Sequence, residues 1–305
     1  MCLVGINLSP DVELLVSNYK SLEITYLGQT KPGIVGAANE ALSRMKNEIF
    51  VRIDDDVILD TLWYENLIQT FQSDERVGGV TGPTIMSDEG LRSRDLTAFL
   101  DRFQKSKNPI LRLLHFLYHD VLYEGQLFDV SKFLDSGVFT IGSNYPSALD
   151  IREPHDVDTL EACNWAARRH LLNEVGGFDE VFTRGLSDYH ESDAAMKIKA
   201  LGTRLIFNPK VSVRHCVETG KVKKARPAAM YRMHNFIIFY FRHFRITSMR
   251  QLGKFLLNLS LQNGYYFYRF LTTGAINQLG AVPGTILWLI RIVFERSQNG
   301  VGIRV

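Results

Sequence analysis

The sequence is poor in several things at once, and each shortage removes a class of protein. Its 305 residues contain three cysteines, Cys2, Cys163 and Cys216, odd in number and far apart, which excludes a disulfide framework or a paired-cysteine zinc site and fits a reducing, cytoplasmic compartment. The formal net charge is only +2, too little for the overall basic footprint of a nucleic-acid binder. No positively charged and then apolar leader opens the sequence, because Asp11 and Glu13 interrupt the first apolar residues, so secretion is not expected. Nor is the chain short of what a core needs. Hydrophobic residues make up 46% and charged residues 22%, near the averages of folded globular proteins. The length suits one large domain or a domain with an appendage.

Short apolar runs at Glu23 to Leu27, Ile49 to Ile53 and Val77 to Thr81 alternate with segments of helical period, which predicts an α/β sheet. Ala37, Ala38, Ala41, Leu42 and Met45 recur at spacings of three and four and predict an amphipathic helix from Gly36 to Lys46. From Ser87 to about Asp150 the pattern becomes irregular and reads as a long excursion from the sheet. Regularity returns from Thr159 to Val175, followed by the Gly176-Gly177 turn, a helix from Ser192 to Leu201 stopped by Gly202, and a strand from Arg204 to Phe207.

Beyond His215 the composition changes. A basic stretch, Lys221, Lys223, Lys224 and Arg226, leads into aromatic-rich helical segments from Tyr231 to Phe244 and Leu252 to Thr272. The final apolar run, Ala275 to Phe294, has nearly the length of a membrane span, yet Asn277, Gln278, Pro283 and Arg291 fall inside it. Lying on a membrane surface and packing on the protein's own body are both readings of these helices. The basic stretch reads as solvated surface, or as a binder of diphosphate or anionic lipid.

Chemistry concentrates where Asp54-Asp55-Asp56 follows Ile49-Phe50-Val51-Arg52-Ile53. A buried strand would deliver these acids to the carboxyl edge of a sheet, where open α/β folds bind ligands. Adjacent carboxylates repel unless a cation neutralises them, and oxygen ligands imply Mg2+ or Mn2+. An isolated acidic triplet reads more simply as a solvated turn or helix cap. Its company decides otherwise. Gly33-Ile34-Val35-Gly36-Ala37-Ala38-Asn39-Glu40 precedes it, and Glu161 to Arg169, Val175-Gly176-Gly177-Phe178-Asp179-Glu180 and His190-Glu191-Ser192-Asp193 follow.

With these motifs the chain resembles the family 2 glycosyltransferases, inverting enzymes of the GT-A fold. The resemblance covers residues 22 to 215. It implies an α/β fold, a Rossmann-like mixed sheet flanked by helices, here with a C-terminal helical extension. The corresponding division is a catalytic domain over 1–217, whose N-terminal nucleotide-binding strand is short or missing, and an aromatic-rich extension over 218–305. A late start of the chain, or a trimmed nucleotide site, would account for that beginning.

The same resemblance implies a divalent metal, Mg2+ or Mn2+, held by Asp56 with Asp54 and His215. It implies a nucleotide-diphospho-sugar donor near Asn39, Asp54 and Asp55, and an acceptor side formed by Trp165, Gly177, Phe178 and Asp179. Trp165 reads equally as core. The base falls to Glu191, with Asp193 and His190 as further candidates, because His190 stands where the family has Glu and Glu191 where it has Asp. The partners implied are that donor and a glycan or lipid-linked acceptor, with membrane contact through the C-terminal helices. The expected reaction is hexosyl or related transfer in polysaccharide biosynthesis, at the inner face of the cytoplasmic membrane and with no nucleic acid involved. A catalytically impaired sugar-nucleotide-binding module is the alternative, and a nucleotidyltransferase, which leaves Gly176 to Asp179 unexplained, is a third.

Overall fold

The computed structural model describes residues 2–5, 14, 18, 24–87, 96–216 and 229–299. The basic stretch at Lys221 to Arg226 lies outside them. In chain order the strands are β1 (Cys2–Gly5), β2 (Thr25–Gly28), β3 (Ile49–Ile53), β4 (Val57–Leu59), β5 (Val77–Thr81), β6 (Thr84–Ile85), β7 (His155–Asp156), β8 (Asn164–Arg168), β9 (Arg204–Phe207) and β10 (Val213–His215). The α-helices are α1 (Gly33–Arg44), α2 (Trp63–Ser73), α3 (Leu96–Gln104), α4 (Pro109–His115), α5 (Pro146–Leu149), α6 (Arg169–Glu174), α7 (His190–Ala200), α8 (Ala229–His243), α9 (Met249–Thr273) and α10 (Ala281–Asn299).

The main sheet has the order β3-β8-β5-β9-β7. It is mixed, with β5 and β9 parallel and the other neighbours antiparallel. Alternation along the strands divides its side chains between two cores. Phe50, Trp165, Ala167, Leu205 and Phe207 point to one side and pack with α1 and α7 through Val35, Ala38, Leu42, Ala194 and Ile198. Val80, Ala166 and Ile206 point to the other and pack with Trp63, Leu67 and Phe71 of α2. Both faces are covered, which gives the helix–sheet–helix layering of the expected fold.

Cys2–Gly5 forms a strand parallel to β2, in register from Cys2 opposite Thr25 to Gly5 opposite Gly28. This first strand is four residues long. The stretch after Ser87 is more regular than its composition suggests. Asn108 caps α4 by accepting a hydrogen bond from Ile110 N, Pro109 occupies its first turn, and a π-helical turn, Phe116–Leu122, continues it.

The C-terminal helices form a second core. Met233, Phe236, Ile237 and Tyr240 of α8 pack with Phe255 and Leu259 of α9 and Ala281 of α10. Phe239 joins this assembly to the body through Phe133 and Phe182. Across the run Ala275 to Phe294, a 3-10 turn at Ile276–Gly280 separates α9 from α10, and among the described residues no helix is long and apolar enough to cross a membrane.

Candidate active site

The acidic triplet sits in the turn between β3 and β4, and the β4–β10 pairing gives it an unlike neighbour. Those strands run antiparallel with His215 opposite Val57, and Cys216 N donates to the Asp56 carbonyl at 2.8 Å. This register brings His215 Nε2 to 2.9 Å from Asp56 Oδ1. Ligand atoms of Asp54, Asp56 and His215 all lie within 4.8 Å of one another. Two carboxylate oxygens and an imidazole nitrogen, partly open to solvent, suit Mn2+ or Mg2+ with further positions left for water or phosphate oxygens. Asp55 is exposed and lies outside the cluster.

A residue that the motifs do not single out links this cluster to the start of α7. Arg52 Nη2 lies 3.9 Å from Asp54 Oδ1, and its Nη1 donates to His190 Nε2 at 2.6 Å. His190 Nδ1 then donates to the Ser187 carbonyl at 2.6 Å, which places a proton on that nitrogen. That nitrogen also lies 2.5 Å from Glu191 Oε2, an oxygen that is buried and has no aligned hydrogen-bond donor. Burial pushes the Glu191 carboxyl up, but the His190 ring and the Arg52 charge outweigh it and hold the group below the usual glutamate range. Glu191 is therefore ionised at neutral pH. It lines a pocket of about 520 Å³ with Tyr118, Tyr189, Arg232, Asn258 and Tyr265 among its walls.

The backbone leading to Glu191 is strained. Tyr189 has φ 73° and Ser187 φ 58°, a conformation that a bulky L side chain rarely adopts and that persists only when its surroundings impose it. Helix α8 imposes it here. Asn235 Nδ2 donates to the carbonyls of Arg184 at 3.2 Å and Asp188 at 3.1 Å, Arg232 pairs with Asp188 at 2.9 Å, and Tyr189 stacks on Phe239 with centroids 4.9 Å apart. A signal for this exists in the sequence: Arg232, Asn235, Arg242 and His243 return to one face of an otherwise apolar helix, and buried polar groups need partners.

Asp193 does different work from Glu191. Fully buried, it accepts from Arg242 at 2.9 Å and His243 at 2.8 Å, and Lys197 Nζ stands 2.8 Å from its second oxygen. Burial pushes its carboxyl up; His243, Arg242 and Lys197 pull it further down, to about 2. Such an acid fastens α7 to α8 and is shut off from any acceptor. Arg242 also reaches Asp179 at 2.9 Å, while the other Asp179 oxygen accepts from Val181 N.

The acceptor-side residues expected from the motifs form the wall behind the site. Trp165 and Phe178 are 0% and 1% exposed, their rings tilted against each other with centroids 5.3 Å apart, so neither offers a face to a sugar. Asn39 holds the neighbouring turn: its Nδ2 donates to Phe178 O at 2.7 Å and its Oδ1 accepts from Phe178 N at 2.9 Å. Gly177, at φ +74°, has Asn39 Oδ1 only 2.8 Å from where a Cβ would stand, which bars any larger residue. Both ends of the Asn39 amide are thus engaged by the protein's own backbone.

A mixed sheet between helices, with a carboxylate–imidazole cluster at the end of β3 and an ionised glutamate at the start of α7, has the architecture of the GT-A fold. The profile described as "Glycosyl transferase family 2" matches residues 11–132, the part of the chain that carries β2 to β6 and the acidic triplet. Among solved structures it is similar to the mannosyltransferase PcManGT from Pyrobaculum calidifontis in complex with GDP-Man and Mn2+, with 17% identity, 94% of this chain and 77% of the other covered, and a TM-score of 0.49. S. aureus TarS 1-349 in complex with UDP-GlcNAc is similar at 11% identity, 93% and 69% coverage and a TM-score of 0.50. GalNAc-T7 with UDP, GalNAc and Mn2+ is similar at 11% identity over 78% of this chain and 41% of the other, with a TM-score of 0.51. No curated protein sequence matches.

Proposed function

We propose that the chain transfers a hexosyl or related sugar from a nucleotide-diphospho-sugar to a hydroxyl of a glycan or lipid-linked acceptor, with inversion at the anomeric carbon. The observation that carries this reading is the unbroken side-chain path from Asp54 through Arg52 and His190 to Glu191, whose carboxylate lines a pocket large enough for a sugar ring. Asp54, Asp56 and His215 would hold a divalent metal, Mg2+ or Mn2+. That ion supplies positive charge for the departing diphosphate. UDP and Mn2+ in the GalNAc-T7 complex support the same donor chemistry on this fold.

In the transfer, an acceptor hydroxyl in the pocket loses its proton to the Glu191 carboxylate while its oxygen bonds to the anomeric carbon. The bond from that carbon to the diphosphate oxygen breaks on the opposite face. His190, fixed by Arg52 and the Ser187 carbonyl, positions the carboxylate. Donor turnover measured with Mn2+ and a panel of glycoside acceptors tests the assignment. Asp56→Ala and Glu191→Gln proteins are expected to lose about 100-fold or more of the transfer rate. Full turnover by either sinks its assigned role, and donor binding without product in wild type would leave a sugar-nucleotide-binding module instead.

A further inference from the structure

Helix α10 is apolar on two opposite sides and covered on one. Ala281, Gly284 and Thr285 are buried, with Met230 of α8 close enough to meet a Cβ built on Gly284 at 3.0 Å. Val282, Ile286 and Ile290, at helical spacing on the other side, are exposed, as is Leu287. Helix α9 shows the same excess: Tyr268 is 61% and Leu271 64% exposed, with Phe267 beside them and Ile276 just beyond. A helix that is apolar all round belongs where both sides are covered, and this many large apolar side chains exposed on two neighbouring helices mark a contact.

Charge indicates what covers it. From Ala229 to Phe294 the sequence has no Asp or Glu and seven Lys or Arg. Arg232 and Arg242 turn inward to Asp188 and Asp193, the buried Lys254 pairs with Glu124, and the exposed Arg250 reaches the same carboxylate. Arg269 stands exposed within the apolar face, between Tyr268 and Leu271, and makes no ion pair among the described residues. A two-fold dimer through this face would set an acid-free, Arg-bearing surface against its own copy, with no carboxylate to meet the cation. Since no described helix is fit to cross a membrane, the remaining match is an interface of hydrocarbon with anionic head groups, in which Tyr and Phe settle at head-group level.

We propose that the outer face of α9 and α10, centred on Tyr268, Arg269, Leu271, Val282 and Ile286, docks on the surface of an anionic lipid bilayer. Tyr265, which lines the pocket beside Glu191, is half exposed on the same helix, so docking would bring the pocket mouth close to the lipid surface. The inference does not depend on the transfer reaction.

The test is co-sedimentation of the full chain with vesicles of phosphatidylcholine alone and of phosphatidylcholine with phosphatidylglycerol. Wild type is expected to bind the phosphatidylglycerol vesicles preferentially. Tyr268→Ser/Leu271→Ser should weaken that partition by about tenfold or more. Arg269→Glu should weaken it by about tenfold on anionic vesicles only. All three side chains are exposed, so unchanged circular dichroism and melting should accompany the loss, and donor turnover with a soluble acceptor should persist. Failure of folded wild type to bind phosphatidylglycerol vesicles overturns the proposal, as does equal binding to both vesicle types. So does a concentration-dependent dimer abolished by the same substitutions, which would identify a second copy as the occupant. A chain that binds vesicles but shows no donor turnover would overturn the proposed reaction and leave the docking surface standing.

Discussion

Two carboxylates lie within three positions at the start of α7, and Asp193→Asn separates their roles. The substitution keeps the shape of the side chain but removes the charge that faces Arg242, His243 and Lys197. Asp193 is fully buried and its carboxyl is held at about 2 against an ordinary 3.8. That depression corresponds to roughly 2 to 3 kcal/mol of stabilisation at neutral pH. Arg242 keeps Asp179 as a partner, so the loss should stay near that figure and below the full cost of about 3 to 5 kcal/mol for stranding a buried charge. Thermal melting should therefore fall by about 5 °C or more at neutral pH. The folded-state value lies below the unfolded one, so the stabilisation is present above the unfolded pKa and disappears as pH falls through the folded pKa. The gap between wild type and variant should accordingly narrow as the pH drops from about 4 toward 2. Donor turnover below the melting range should survive in part. A variant that melts with wild type yet has lost transfer altogether would refute the clamp and make Asp193 the base.

Further expectations follow from the metal cluster and the thiols. His215→Ala removes one of three ligand atoms, so Mn2+ affinity by calorimetry or electron paramagnetic resonance should fall by at least about 10- to 100-fold; unchanged affinity would remove His215 from the set. With Mg2+ and Mn2+ chelated, donor turnover should stop and return on adding either ion, and metal-independent turnover would count against the cluster. Cys163 is buried, and burial with the nearby Glu161 and Asp54 charges pushes its thiol up to about 12. Cys216 is exposed. Peptide mapping after mild alkylation of folded protein should find Cys216 modified and Cys163 untouched, and ready modification of Cys163 would contradict its burial.

Local pattern carried much of the fold and part of the site. Ile49 to Ile53, Val77 to Thr81 and Arg204 to Phe207 are strands where the apolar runs place them, and α7 starts two residues ahead of the expected Ser192. These are short-range signals, fixed by side-chain period and by the glycines that stop elements. The helices after Ser87 escaped notice because their apolar faces are short and mixed with charge. The placement of Asp54 and Asp56 after a strand and of Glu191 at a helix start was legible because a strand end and a helix start are themselves local events.

What each side chain touches was not local. His215 meets Asp56 only through the antiparallel register of β4 and β10, across 159 positions of chain. Arg52 joins the carboxylate–imidazole cluster to His190 because β3 lies beside α7 in the folded layers. Asp193 differs from Glu191 by two residues in sequence and by a helix face in space, which turns one carboxylate into a buried clamp and the other toward a pocket. Trp165 became core because the β3–β8 pairing turned it under α1, opposite Arg52. The sequence by itself determined which residues could do chemistry and where the elements that carry them begin and end. Tertiary packing decided which of those residues meet, because register and helix facing are set by contacts between segments that no local pattern encodes.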